Sequence, residues 1–170
     1  MIQVEIESVR MSLLSHHRLV VLKDIADERF LPIWIGPSEA DAITVELQGI
    51  QVARPLTHDL LRSVISAVGL QVDYIVVNDL RNETFYGTIM MDFNGRTLEI
   101  DARPSDAIAL AVRVAAPIFV AESVMDEASV TPQEGIDLAE LTTEEEARLS
   151  VFSEFFETLD LDGLDDTDES

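Results

Sequence analysis

Apolar and polar residues alternate from the start of the chain: Val4, Ile6, Ser8 and Met11 interleave with Gln3, Glu5, Glu7 and Arg10. Period two marks a half-buried strand, and the runs Leu19 to Leu22 and Phe30 to Ile35 follow after short polar breaks. The pattern predicts three strands at about 2–12, 18–24 and 28–35, joined as a meander. Gly36-Pro37-Ser38 stops the last of them, with Ser38 as the expected N-cap of a helix over 38–48 and Asp41 as its capping-box acid. Gly49 closes that helix. Thr57 is the next expected N-cap, and Leu60, Leu61, Val64, Ile65 and Val68 recur at helical spacing up to Gly69.

The period returns to two at Val72 to Val77, Thr84 to Asp92 and Thr97 to Ala102. Asn94-Gly95 joins the last two as a tight hairpin, so the sheet is expected to be antiparallel. Pro104 suits a first helical position, and Ser105 to Ala115 is apolar nearly all round, the pattern of a buried helix. A short strand over Ile118 to Ala121 and a short helical stretch follow. The fold class is α+β, a mainly antiparallel sheet with helices packed on it. Its expected organisation is a domain over 1–127, a linker over 128–141, a C-terminal helix over 142–159 and a disordered acidic tail over 160–170. Leu149, Phe152, Phe155, Phe156 and Leu159 give that C-terminal helix one apolar stripe.

Charge sharpens this division. Of 33 acids and 11 bases, residues 122–170 hold 17 acids and only Arg148, while residues 1–121 hold 16 acids and 10 bases. An acidic body carries no broad basic footprint for nucleic acid, so phosphate contacts would have to come from local arginines or bound cations. No cysteine is present, which excludes disulfides, thiolate metal sites and a cysteine nucleophile. No apolar run approaches the roughly 20 residues of a membrane helix, and the N-terminus lacks the features of a signal peptide. The expectation is a cytoplasmic protein that makes no use of a membrane.

Three places could carry chemistry. On a helical wheel Glu39 and Glu46 fall about 20° apart, inside the sector of Ala42, Ile43 and Leu47. Carboxylates in an apolar sector need a partner, and Arg54, Arg62, Arg103 or a metal could serve; alternatively both acids escape to the helix edge. His58-Asp59 opens the second helix, where the dipole disfavours imidazolium. A neutral His58 could be a general base or ligand, or the pair could simply stabilise the helix start. His16-His17 sits in a predicted turn and reads as solvated. Asp101, Arg103, Ser105 and Asp106 crowd a strand-to-helix junction that could hold phosphate or a divalent cation. The competing reading is an internal Asp–Arg pair with Asp106 opening the helix.

LPIWIGPSEADAI at 31–43, RPLTHDLL at 54–61 and IDARPSDAIALAVR at 100–113 together resemble the bifunctional nuclease (BFN, DNase-RNase) domain family over about residues 1–127. The resemblance implies an α+β domain that self-associates and hydrolysis of phosphodiester bonds in both DNA and RNA. Uncovered sheet edges and the apolar stripe near the C-terminus likewise lead to the expectation of a homo-oligomer, most simply a dimer. Roles for individual residues come from their chemistry alone. Glu39, Glu46, Asp101 and Asp106 are candidate ligands for Mg²⁺ or Mn²⁺, Arg103 a phosphate clamp and His58 a base, all expected in a cleft where helix N-termini meet. The alternative is a non-catalytic oligomeric binding or regulatory module that recognises a small anion or a protein partner. The segment TTEEEARLSVFSEFFETL does not resemble a nucleotide-excision-repair interaction motif, so no repair-complex role is inferred.

Overall fold

In a computed structural model the described residues are 1–11 and 18–131. Among these residues, seven strands and four helices follow one another as β1 (Ile2–Met11), β2 (Arg18–Asp24), β3 (Phe30–Ile35), α1 (Pro37–Leu47), α2 (Thr57–Ala67), β4 (Gln71–Arg81), β5 (Thr84–Phe93), β6 (Arg96–Ala102), α3 (Pro104–Val114), β7 (Ile118–Val120) and α4 (Glu122–Ala128). The strands form one sheet in the order β3-β2-β1-β7-β4-β5-β6. The expected meander is present as β1, β2 and β3, and β4, β5 and β6 form a second one.

The three-residue β7 unites the two halves. It pairs antiparallel with β1 and parallel with β4, so the sheet is mixed but mainly antiparallel, as expected. A parallel neighbour requires a crossover connection, and α3 lies on the route from β6 to β7. Asn94 and Gly95 both take positive φ, as the tight turn between β5 and β6 demands. Asn82 and Glu83 do the same between β4 and β5, which lengthens β4 beyond the apolar run visible in the sequence.

Helix starts differ from expectation in an instructive way. The N-cap of α1 is Gly36 rather than Ser38, with Pro37 at the first helical position. Proline brings no N–H that needs a partner and is already at helical φ, so it sets the start by itself. Asp41 makes no capping box and instead lies 3.8 Å from the Arg18 guanidinium. The N-cap of α2 is Leu56, ahead of Thr57. There the Asp59 carboxylate, three residues on, accepts the Leu56 N–H at 2.7 Å and replaces a hydroxyl cap.

α3 is the centre of the helical layer. Pro104, Ser105, Ala107 to Ala111 and Arg113 are all buried along it, as its sequence foretold. It lies against β4 and β5, and α1 and α2 both pack on it. The core runs from Val20 and Leu22 through Ile43, Ile75 and Val77 to Ile108 and Leu110. The compact unit runs from Met1 to Thr131, and at its end Val130 exchanges two backbone hydrogen bonds of 2.8 Å with Phe30. The rest of the linker, the helix expected at 142–159 and the tail at 160–170 lie outside the described residues, as do His16 and His17. Among the described residues no helix is long and apolar enough to cross a membrane.

Leu110, fully buried in α3, tests this centre. Leu110→Ala removes three heavy atoms and leaves a cavity, so urea denaturation should show a loss of about 2–5 kcal/mol. A loss below about 1 kcal/mol would mean that α3 does not organise the core.

Candidate functional site

Three helices begin within hydrogen-bonding reach of one another. Glu39 is the third residue of α1, His58 the second of α2, Arg103 the N-cap of α3 and Asp106 the third residue of α3. Arg103 Nη2 donates to Glu39 Oε1 at 2.7 Å, and Arg103 Nε donates to Asp106 Oδ2 at 2.8 Å. The other Asp106 oxygen, Oδ1, lies 3.0 Å from His58 Nε2. The order Glu39, Arg103, Asp106, His58 is therefore one continuous polar chain across three helix starts. Carboxylates in a first helical turn also gain from the positive end of the dipole.

Two glycines make room for it. A Cβ on Gly36 would run into the Glu39 carboxylate, so Gly36 leaves the space that the side chain fills. A Cβ on Gly87 would lie 3.1 Å from the Ala102 carbonyl and 3.3 Å from Pro104 N. The corner that presents Arg103 thus rests directly on the bare backbone of β5.

Two members of this polar chain, Asp106 and Arg103, have shifted proton affinities. Partial burial pushes the Asp106 carboxyl upward, but hydrogen bonds from Arg103 and His58 outweigh it and hold the group below the usual carboxylate range. Asp106 and Glu39 in turn raise the Arg103 guanidinium above its usual value. An ionised Asp106 can only accept, so His58 Nε2 carries the donated proton. In the neutral imidazole Nδ1 is then the nitrogen with a lone pair for a further proton. Exposure is uneven: the Arg103 side chain is 65% exposed and Asp106 30%, against 16% for Glu39. His58 is 7% exposed. The guanidinium is thus the outermost group and His58 the most buried.

Glu46 and Asp101 do not join it. Glu46 lies seven residues along α1 from Glu39, about 10 Å on the helix rise, and so is far from the helix starts. Asp101 is exposed on β6, where it pairs with Thr88 across the ladder. Among the described residues no three His, Asp or Glu side chains gather closely enough to hold a metal ion. The four-acid cluster expected from the sequence is therefore not assembled. Of the partners open to Glu39, Arg103 is the one that meets it.

A second network stands behind the first. The Arg113 side chain is fully buried, and its Nε donates to Asp59 Oδ1 at 2.7 Å. Its Nη1 donates to the Ala109 carbonyl at 2.7 Å and Nη2 to the Ala42 carbonyl at 3.0 Å. The Leu56 N–H, helped by Arg113, holds the Asp59 carboxyl below its usual range despite burial. Asp59 thus stabilises its helix start, as one reading of the sequence had it, and also binds Arg113. Arg113 itself escaped the sequence reading. The available signal was a single cation inside an otherwise apolar helix, a placement that demands buried partners.

Fold and site together define an α+β domain that gathers a histidine, an arginine and two carboxylates at three helix starts. The family model described as the bifunctional nuclease domain matches residues 20–133, and the chain belongs to that family. It is similar to an uncharacterized protein of Mycobacterium tuberculosis, 36% identical over 160 residues, which covers 94% of this chain and 96% of that one. It also resembles proteins named bifunctional nuclease 1 from Oryza sativa subsp. indica (24% identical) and Arabidopsis thaliana (28% identical). These matches cover 62% and 61% of this chain but only 33% of each plant protein.

Asp59 and Asp106 both have lowered folded-state values, so each contributes stability that is complete above the ordinary carboxylate value of 3.8 and lost as pH falls through the depressed one. The stability difference between wild type and Asp59→Asn, read by urea denaturation, should be full at pH 7 and shrink below about pH 4. A difference that stays constant down to pH 2 would uncouple this carboxylate from folding.

Proposed function

We propose that this chain is a nuclease that hydrolyses phosphodiester bonds in DNA and RNA, with Arg103 as the phosphate clamp and His58 as the general base. The observation that carries the reading is the polar chain itself, with its guanidinium facing solvent and its imidazole oriented by an ionised carboxylate. A guanidinium has five N–H donors; Glu39 and Asp106 take one each, which leaves three for phosphate oxygens. Because two carboxylates already fix its plane, little reorganisation is needed when a phosphate arrives. Asp106 fixes the His58 tautomer, so Nδ1 is the atom that would take the proton of an attacking water. The family and the names of the plant relatives support the reaction class.

Divalent cations enter the proposal in a reduced form. Mg²⁺ is commonly held by one or two carboxylates together with substrate phosphates rather than by an all-protein cage. Glu39 and Asp106 are the carboxylates that would hold Mg²⁺ or Mn²⁺ here, and the ion would supply neutralising charge to the phosphodiester. The second reading, a non-catalytic module that recognises a small anion or a protein, draws on the burial of His58 and on the mutual pairing of every charge in the chain.

Purified protein should cleave DNA and RNA, and both His58→Gln and Arg103→Ala should lower the rate roughly a hundredfold or more. Parallel reactions with chelator, Mg²⁺ and Mn²⁺ read the cation dependence. Variants that cleave at the wild-type rate would remove the proposal, and phosphate binding without cleavage would favour the second reading. The proposal includes a homodimer, supported by exposed Leu60 and Val64 on α2, Val68 at its C-cap and Ile100 on β6. Light scattering at micromolar concentration should give twice the 18.9 kDa chain mass; a monomer mass would remove it.

A further inference from the structure

We propose that Arg113 is a positioning residue for this site: it locks the three helices whose first turns carry Glu39, His58, Arg103 and Asp106. The inference rests on the nuclease reading for its consequence in rate, and on geometry alone for its consequence in structure. Each anchor of the Arg113 fork lies within one turn of a site residue. Ala42, whose carbonyl accepts from Nη2, follows Glu39 by three residues on α1. Ala109, which accepts from Nη1, follows Asp106 by three on α3. Asp59, which accepts from Nε, is the next residue after His58 on α2.

Stability alone does not explain this arginine. A buried ion pair is often matched or exceeded in stability by well-packed apolar side chains of similar volume. A methionine or leucine would suit the apolar surroundings of α3, yet neither could bind two carbonyls and a carboxylate in one plane. Only a planar fork with several fixed donors sets the distances between three helices at once. The second oxygen of Asp59 extends the lock to the backbone of Leu56, so the whole first turn of α2 is held. His58 and Asp106 touch only if α2 and α3 keep their relative positions, and Arg113 is the buried side chain that spans them. Arg62 donates to the Arg113 carbonyl at 3.3 Å and acts on Asp59 through its charge rather than through the hydrogen bonds of the fork, which makes Arg62→Gln a control for electrostatics beside the lock.

The experiment compares full-length Arg113→Lys and Asp59→Asn with wild type and Arg62→Gln, each shown to be folded by near-ultraviolet circular dichroism. Proton NMR follows the His58 Nε2–H resonance, assigned by its loss in His58→Gln and protected from water only while the bond to Asp106 holds. Both test variants should lose or shift this resonance, and their kcat per folded molecule should fall about tenfold to a hundredfold with KM within twofold, as expected for a misplaced base. The control should match wild type in both. Resonance loss without cleavage in any protein, wild type included, would uphold the positioning role and discard the nuclease reading. Cleavage that needs His58 but is unchanged, together with the resonance, in both test variants would overturn the positioning role. Failure of both variants to fold would also overturn it, since Arg113 would then act on stability alone.

Discussion

A helix buried on nearly every side must satisfy its polar groups inside the protein, and α3 is such a helix. Its middle, Ala107 to Ala111, is packed against β4 and β5 and between α1 and α2. Small alanines at 107, 109 and 111 let neighbours approach closely, while Ile108 and Leu110, equally buried, fill the wider gaps on opposite sides of the helix. The polar load falls on the two ends. Arg103 and Asp106 meet neighbours at the first turn, and Arg113 reaches back from the last turn to Ala109, Ala42 and Asp59. The site is the exposed end of the packing solution that buries α3.

This arrangement would let an acidic chain make the phosphate contact proposed above. Net charge acts over distance and is screened, whereas a guanidinium and helix N-termini act at contact. Arg103 stands outermost, and the carboxylates that hold it lie behind at its edges. Those carboxylates also limit the local excess of positive charge, so the proposed phosphate contact would be brief rather than tight. The corner it sits on is rigid for a simple reason: Gly87 lets β5 pass directly beneath the turn from β6 into α3.

The two networks differ in chemistry as well as depth. The outer one contains the titratable groups His58, Glu39 and Asp106 and opens to water at Arg103. The inner one ends on backbone carbonyls and on Asp59, whose second oxygen is taken by Leu56. An inner arginine with a fully buried side chain presents no donor to solvent, which separates the two networks. Asp59 and His58, adjacent in sequence, fall on opposite sides of that division.

Most elements were legible because their determinants are local. Alternation over β1 to β3, Asn94-Gly95, Pro104 and the apolar run of α3 each fixed an element without reference to the rest of the chain. So did the pairing of chemistry with helix starts, since Glu39, His58 and Asp106 stand near Pro37, Leu56 and Pro104. The sheet order did not follow from local pattern: β7 has three residues, and its place between β1 and β4 depends on where α3 sets it down. Likewise the wheel placed Glu39 and Glu46 side by side on one face of α1, but only Glu39 is close to the start of α3 and so meets Arg103. Asp101 and Arg103 are two residues apart, yet the turn out of β6 leaves the first on the strand and brings the second into the site. The sequence by itself determined which residues were polar, apolar or helix-breaking, and hence the elements. Tertiary packing decided which charges meet, because a hydrogen bond depends on distances of a few tenths of an ångström between groups far apart along the chain.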